Sequence, residues 1–401
     1  MNAPPALAAN DLPPGYRFAG IACGLKASGK PDLALIAADQ AVVAAGLYTT
    51  NQVVAAPVLL CRSRTPTDGV RAVVINSGNA NACTGTQGEH DAMQMTQQVA
   101  ETLGVPVESV LVMSTGVIGQ TLPMDKITAG IGRVCTGLHH QQAAFHAAAD
   151  AILTTDKARK VAARSLTLGA DTYRIAGMCK GAGMIAPNMA TMLSVVLTDA
   201  PLSVEAAQRV LAFAVRHSFN RVSVDGHTST NDSIILLARQ SEQPLDVLAV
   251  GQFQDVLTEL CIELAKQLPA DGEGALHVLQ LKVSGATCET DAEQIARVVA
   301  ASPLVKTAIT GGDPNWGRIV SAAGIAGPKI DVSRTCLTIL GVPVFLSGQP
   351  VAFDNVSLSQ AMRAATLVDC ELQVGDGPGE AVFWASDLTC DYVKFNSLYT
   401  T

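Results

Sequence analysis

KGAGMIAPNMATML, residues 180–193, is the stretch from which the rest of this sequence is best understood. A glycine-rich, proline-containing loop leads into a run of strand-forming residues, and residues 192–197 are predicted to be a buried β-strand. Thr191 opens that strand. If the Ala190–Thr191 bond were cut, Thr191 would carry an α-amine with an ordinary pKa of roughly 7.7–8.0, beside its own hydroxyl. Residue types alone favour a simpler interpretation, in which Thr191 is an ordinary strand residue.

Composition indicates a compact fold with a large core. The chain has 401 residues, of which 48% are hydrophobic, 15% charged and 4% aromatic. That length allows two or three domain-sized units or one large core. Predicted strands and helices alternate without a strict βαβ rhythm, which favours an α/β (α+β) fold of mixed β-sheets layered with helices.

Charge, apolar segments and cysteine spacing indicate which partners and which cellular compartment to expect. The net charge is −8 and no lysine or arginine cluster is present, which argues against nucleic acid or an anionic membrane and favours small molecules. The first twenty residues lack a signal-peptide pattern, and no window has the length of apolar sequence that a membrane span needs. The ten cysteines form no CxxC pair and no metal-ligand spacing. We therefore expect a cytoplasmic protein with reduced thiols and no metal site.

Hydrophobic periodicity predicts the order of the elements. Strands are expected at 34–37, 41–47, 71–75, 109–113, 173–178, 192–197, 221–224, 233–238, 278–283, 371–374 and 381–396. Helices are expected at 89–103, 124–138, 141–153, 203–217, 251–268, after a capping box at Thr290 and Glu293, and at 358–366 after a second box at Ser357 and Gln360. Polar turns are expected at 76–85 and 114–116.

Four short motifs could carry chemistry, and each has an ordinary structural alternative. The string STGVIG, residues 114–119, could bring a backbone N–H and a hydroxyl to one point, as an oxyanion requires, or could be a simple turn. Lys180 stands in an otherwise uncharged segment and could hold a carboxylate, or lie on the surface. The loop DGEGA, residues 271–275, could be a solvated helix end. The loop GGDPNWGR, residues 311–318, lacks the ending of a phosphate-binding loop and is expected to be structural, beside the cleft.

Taken together, these segments resemble the ornithine acetyltransferase (glutamate N-acetyltransferase) family. Residues 180–193 closely resemble the site at which members of that family cleave themselves, between Ala190 and Thr191. STGVIG followed by LPMDKI, and the closing YVKFNSLYTT, are also similar to family segments. The resemblance implies a self-processing fold cut into an α chain, 1–190, and a β chain, 191–401, which stay together as an α2β2 heterotetramer.

The resemblance also implies a reaction and a set of site residues. The acetyl group would move from N2-acetylornithine to glutamate through an acetyl-threonine, in a ping-pong cycle of arginine biosynthesis. Thr191 would be the nucleophile and base, with Thr115 and Gly116 as the oxyanion hole. Substrate would be bound by Thr154, Lys180, Thr191, Glu273, Asn396 and Thr401. The resemblance implies no cofactor, although acetyl-CoA is a co-substrate of the bifunctional members.

The sequence departs from the family pattern at several places and leaves two other functions open. His227 stands where an aspartate is usual, Leu276-His277 replaces Thr-Lys, Phe395 replaces an aliphatic residue, and Lys157 follows the TTD string. His227 is more often a solvent-facing turn residue than a base. A self-processing amidase or aminopeptidase would pass the acyl group to water, and an unprocessed chain could only bind amino acids.

Overall fold

The protein is described by a computed structural model over residues 11–186 and 192–398. Within these two ranges the chain forms two mixed β-sheets and eleven α-helices. The expected α/β fold of mixed sheets layered with helices is therefore confirmed. Ala190, Thr191 and Thr401 lie outside the described residues.

The first sheet contains eight strands and carries most of the site. In chain order they are β1 (Tyr16–Ile21), β2 (Leu33–Tyr48), β3 (Thr67–Asn79), β4 (Val110–Val117), β5 (Lys160–Leu168), β6 (Asp171–Lys180), β7 (Leu193–Pro201) and, after one strand of the second sheet, β9 (Ser233–Arg239). The spatial order is β4-β3-β2-β9-β7-β6-β5, with β1 also paired to β2. The pairs β3–β4 and β7–β9 are parallel, and the others are antiparallel.

The second sheet contains seven strands. They are β8 (Val222–Ser223), β10 (Val278–Ala286), β11 (Cys336–Ile339), β12 (Val342–Leu346), β13 (Gln349–Pro350), β14 (Leu367–Gln373) and β15 (Gly379–Ser386). They are arranged β13-β12-β11-β14-β10-β15-β8.

The helices form layers on the sheets. They are α1 (Ala56–Arg64), α2 (Gly85–Leu103), α3 (Met124–Thr136), α4 (Gln142–Ala151), α5 (Val204–Arg216), α6 (Val247–Ala270), α7 (Glu289–Ala301), α8 (Pro303–Gly311), α9 (Trp316–Gly324), α10 (Asn355–Ala364) and α11 (Cys390–Leu398). Helices α1–α4 share one core with the first sheet, α5 and α6 share a second core on its other face, and α7–α10 pack on the second sheet. None of the helices in the described ranges has the length and apolar character that crossing a bilayer requires.

Strand β7 is central and is buried on both faces. Leu193, Val195 and Leu197 belong to the core of α1–α4, whereas Val196 and Met192, which directly precedes the strand, belong to the core of α5 and α6. A strand covered on both faces has a continuous apolar run, which is why the sequence predicted it correctly. Lys180 pairs with Leu193 in the β6–β7 ladder, so residues 181–192 form the connection between these two strands.

Glycines explain two wrong predictions near the site. Residues 76–85 and 114–116 were expected to be turns, but β3 continues to Asn79 and β4 to Val117, with Gly78 paired to Gly116. Both glycines have positive φ, and a Cβ on Gly116 would lie 2.3 Å from the carbonyl carbon of Gly78. The two strands approach closely because neither residue has a side chain.

Other boundaries also differ from the predictions. The expected strands at 34–37 and 41–47 are one strand, β2, with a register irregularity between Ala37 and Val42. The expected strand at 381–396 ends at Ser386 and gives way to α11, a helix with no fully buried side chain and hence no clear apolar period. The expected caps are wrong as well, because α7 follows Cys288 and α10 is capped by the Asp354 carboxylate. Strands β1, β5, β11, β12 and β13 and helices α1, α8 and α9 were not predicted.

Candidate active site

A cavity of about 270 Å³ lies where β4 and β6 end. It is also lined by the connection between α4 and β5, the loop before β9, the loop after α6, and α11. The sequence placed six of its lining residues in a candidate site: Thr115, Gly116, Thr154, Lys180, Glu273 and Asn396. Residues separated by up to 281 positions along the chain, from Thr115 to Asn396, therefore meet at one cavity.

The end of β4 is held in place by buried amide side chains. Asn231 donates its two side-chain hydrogens to the carbonyls of Ala80, at 2.6 Å, and Ser114, at 2.9 Å. The Ser114 hydroxyl donates to Asn76 Oδ1 at 2.6 Å. Thr115 and Gly116 follow directly, so their position on the cavity wall is rigidly defined. The sequence predicted a turn here and did not identify Asn231 or Asn76, whose partners are remote along the chain.

Lys180 places a buried ammonium on the cavity wall. Only 2% of the residue is exposed, and its Nζ donates to Thr154 Oγ1 at 2.6 Å and Thr115 Oγ1 at 3.3 Å. Burial lowers the pKa of Lys180 below its usual value, although Asp156 acts in the opposite direction. A buried cation that already bonds two hydroxyls is suited to receiving a carboxylate.

A chain of alternating charges supports Lys180 from behind. The Asp156 carboxylate lies 3.8 Å from Lys180 Nζ and accepts a hydrogen bond from the Lys160 ammonium at 2.7 Å. Lys160 also donates a hydrogen bond to Asp271 Oδ2 at 2.6 Å. Asp156 further accepts the backbone N–H groups of Gly181 and Thr154. Burial opposes ionisation of Asp156, but the attraction of Lys180 and Lys160 outweighs the effect of burial. The pKa of the Asp156 carboxyl therefore lies well below the usual value. Sequence reasoning missed Asp156 and Lys160 as functional residues.

Glu273 supplies a negative charge to the same cavity. Its backbone N–H donates to the carbonyl of Ala182 at 2.9 Å, and Asn396 Nδ2 donates to its Oε2 at 3.0 Å. A Cβ placed on Gly183 would lie 2.6 Å from both carboxylate oxygens, so the carboxylate lies flat against that glycine. Helix α11 packs closely against the next glycine, Gly274, because a Cβ on Gly274 would lie 2.4 Å from the Tyr392 backbone nitrogen.

Asp225 holds the backbone that leads toward the Ala190–Thr191 bond. Its carboxylate accepts the N–H groups of Met184, at 2.6 Å, and Ile185, at 2.9 Å, and Met184 has a φ of 56°, which is unfavourable for a methionine. Tyr392 donates its hydroxyl to the same carboxylate at 3.3 Å. His227 lines the cavity two residues further on.

Two other segments that the sequence singled out, 276–277 and 311–318, lie away from the cavity wall. His277 Nδ1 lies 2.7 Å from the Ala365 carbonyl oxygen, beside the second sheet, and Leu276 is exposed. In the loop 311–318, Asn315 caps α9 and Trp316 stacks on Phe345, with ring centroids 5.0 Å apart. Neither segment contributes a described residue to the cavity wall, so the 311–318 loop has the packing role that was expected, but further from the cleft.

Comparison with known proteins decides the family. The sequence profile of the ArgJ family matches residues 17–401. The chain belongs to the ArgJ family. This confirms the resemblance first seen in residues 180–193.

Individual ArgJ relatives match over almost their whole length. The arginine biosynthesis bifunctional protein ArgJ of Rhodopirellula baltica is 55% identical over 395 residues, covering 97% of this chain and 96% of the relative. Its counterpart from Thermosynechococcus vestitus is 45% identical over 406 residues, covering 96% of each. A solved chain of the ornithine acetyltransferase from Mycobacterium tuberculosis, complexed with ornithine, is 40% identical; it covers 46% of this chain and 96% of its own, with a TM-score of 0.42.

Proposed function

We propose that this chain is an acetyltransferase of arginine biosynthesis that moves the acetyl group of N2-acetylornithine to glutamate. The observation that carries the proposal is the single cavity, in a member of the ArgJ family, at which Thr115, Gly116, Lys180 and Glu273 meet. Both substrates are small amino-acid derivatives with carboxylate and ammonium groups. A cavity whose wall carries the buried Lys180 ammonium and the Glu273 carboxylate complements such ligands.

Thr191 is the proposed nucleophile. Its hydroxyl oxygen attacks the acetyl carbonyl carbon, the hydroxyl proton moves to its own α-amine, and Thr115 and Gly116 stabilise the oxyanion. The C–N bond of the acetamide then breaks, the ornithine nitrogen takes the proton, and an acetyl ester remains on Thr191. Glutamate enters, its amine attacks the ester, and N-acetylglutamate leaves with Thr191 restored.

The substrate-binding residues have separate proposed roles. Lys180, with Thr154, binds the substrate carboxylate, and Glu273, held by Asn396, binds the ammonium of ornithine. Thr401 is proposed to complete the pocket. We further propose acetyl-CoA as a second acetyl donor and no resident cofactor.

The proposed cut at Ala190–Thr191 divides the chain into 1–190 and 191–401. Both pieces contribute strands to the first sheet, because β6 of the first piece pairs with β7 of the second over six residue pairs, from Ile175 with Thr198 to Lys180 with Leu193. Strand β2 likewise pairs with β9. These strand pairs join the two pieces by backbone hydrogen bonds, which supports the proposal that the two chains stay together after cleavage. An assembly of two such heterodimers is also proposed, in the cytoplasm, where ten unpaired cysteines would stay reduced.

Intact-mass spectrometry tests the proposal. Purified protein should give two masses, for 1–190 and 191–401, and N2-acetylornithine should add one acetyl group to the second fragment only. Glutamate should then remove that acetyl group as N-acetylglutamate. An uncut chain would overturn the proposal. Release of acetate at a rate that glutamate does not change would instead indicate a hydrolase.

Gly183→Ala should damage substrate binding without removing any charged group. The new methyl group would overlap the Glu273 carboxylate, at 2.6 Å, and push it from its place. A displacement of about 1 Å at a positioning group can cost up to about 100-fold in rate, and we expect kcat/KM for N2-acetylornithine to fall about 10- to 100-fold, mainly through KM. Gly132→Ala in α3 is the matched control, because its Cβ meets nothing within 4 Å. Equal kinetics in the two variants would contradict this placement of Glu273.

A further inference from the structure

Asp232 is a buried carboxylate beside the proposed cut. It precedes β9 and is fully buried. Its Oδ1 accepts the backbone N–H of Met192 at 3.0 Å, and the Met192 carbonyl in turn accepts the N–H of Ser233 at 3.1 Å. The Asp232 carbonyl accepts the N–H of Thr49 at 3.0 Å. Asp232 is therefore fixed against the residue that immediately follows Thr191.

The second carboxylate oxygen of Asp232 has no partner among the described residues. Oδ2 is buried and accepts no hydrogen bond from residues 11–186 or 192–398. The nearby Thr49 hydroxyl gives its single proton to the Ser229 carbonyl at 2.6 Å. Lys180, the charged side chain that acts on Asp232 electrostatically, directs its ammonium to Thr154 and Thr115 instead. Burying a carboxylate oxygen without a hydrogen-bond donor costs free energy. We therefore expect a donor or a cation next to Oδ2.

The electrostatics of Asp232 agree with its geometry. Burial raises the pKa of its carboxyl well above the usual value, although the Met192 and Ser229 backbone N–H groups, Lys180 and the Thr49 hydroxyl act in the opposite direction. A cation brought next to Oδ2 would favour the ionised carboxylate.

We propose that Asp232 is a positioning residue that holds the α-amine of Thr191 through Oδ2. The proposal rests on the proposed function, which supplies that amine. Three covalent bonds separate the amine from the Met192 nitrogen, which Oδ1 already binds. When the amine takes the hydroxyl proton, Asp232 accepts a hydrogen bond from the resulting ammonium, which then gives the proton to the departing ornithine nitrogen. Nucleophile, base and the group that orients the base then form one unit.

Asp232→Asn tests this role, because an asparagine Oδ1 can still accept the Met192 N–H while the negative charge is lost. Without the carboxylate, the pKa of the amine falls, and the neutral amine is the base. The ascending limb of kcat/KM against pH should therefore move to lower pH by about 1 unit. At the optimum, kcat should fall at least about tenfold. Lys180, on which Asp156 and Glu273 also act, loses charge as pH rises and would appear on the descending limb.

Asp199→Asn is the matched control. Asp199 lies near the opposite end of β7, and its Oδ1 likewise accepts a backbone N–H, that of Arg174, at 2.6 Å. This variant should keep the wild-type rate and pH profile, because it lies far along the strand from residue 191.

The outcomes separate this proposal from the proposed function. A cut Asp232→Asn enzyme with an unshifted ascending limb would overturn the role of Asp232 alone. So would a folded variant that stays uncut, because the precursor has no free amine at this position. If the variant does not fold, the wild-type profile decides: an ascending limb with an apparent pKa above about 8 supports the proposal, and one at or below about 8, the range of an unperturbed α-amine, overturns it. An uncut wild type would overturn the proposed function itself.

Discussion

Thr191→Ala should yield one uncut polypeptide of 401 residues with no measurable acetyl transfer. We propose that the Thr191 hydroxyl, which attacks the acetyl carbonyl carbon during turnover, also attacks the Ala190 carbonyl carbon during cleavage. Alanine removes it from both steps. Loss of a nucleophile typically costs several orders of magnitude, and we expect the rate to fall by at least about 10⁴-fold. A denaturing gel and a glutamate-dependent transfer assay measure the two consequences.

Thr191→Ser is the matched control, because serine keeps the hydroxyl and the α-amine and loses only a methyl group. The Ser variant should still divide into 1–190 and 191–401 and should form an acetyl ester, at a reduced rate. Two results would contradict the assignment of Thr191: an Ala variant cut at the same bond, or an uncut Ala variant that still transfers acetyl groups.

Much of the central fold could be predicted because local pattern and tertiary environment agree there. The apolar run of β7 is buried on both faces, and the helical periods of α5 and α6 match the core that these helices share. Such elements need no information from distant parts of the chain. The resemblance placed six described residues in one site, and the structure brings all six to one cavity: Thr115, Gly116, Thr154, Lys180, Glu273 and Asn396.

The supporting residues of the site could not be predicted, because their partners are remote in sequence. Asn231 reaches across 151 residues to Ala80, and Lys160 across 111 residues to Asp271. No local pattern marks either pair. The turn predicted at Gly116 was wrong for a different reason. A glycine usually indicates a turn, but here it lets two parallel strands approach closely.

Lys160→Met should cause the largest loss of stability. The Lys160 side chain is 2% exposed, and its ammonium joins Asp156, whose side chain is fully buried, to Asp271. Methionine fills a similar volume but leaves Asp156 with Lys180 as its nearest cation, at 3.8 Å. Removing one partner of a buried ion pair typically costs about 3–5 kcal/mol, and we expect that loss in the free energy of unfolding by urea at pH 7.

The same change should reduce activity, because Asp156 accepts the backbone N–H groups of Gly181, at 2.6 Å, and Thr154, at 3.0 Å. These two bonds join the segments that carry Lys180 and Thr154. If Asp156 moves toward the remaining lysine, Lys180 and Thr154 lose their relative positions. The KM for N2-acetylornithine should therefore rise together with the loss of stability.

Arg164→Met is the matched control on the same strand. Arg164 pairs with Glu263 of α6 at 2.5 Å, but the two side chains are 35% and 26% exposed. Partly solvated pairs of this kind contribute about 0–1 kcal/mol, so this variant should unfold almost as the wild type does. Equal losses in the two variants would contradict a special role for the buried network.

The pH dependence of the stability difference gives a further test of Lys160. The pKa of Asp156 is lowered in the folded protein, so its ion pairs stabilise the fold above the unfolded pKa of about 3.9 and lose that contribution as pH falls toward the folded pKa. The stability gap between wild type and Lys160→Met should therefore be full at pH 7 and should narrow below about pH 4. A gap that stays constant in acid would show that Lys160 stabilises the fold by packing its alkyl chain and not by neutralising Asp156.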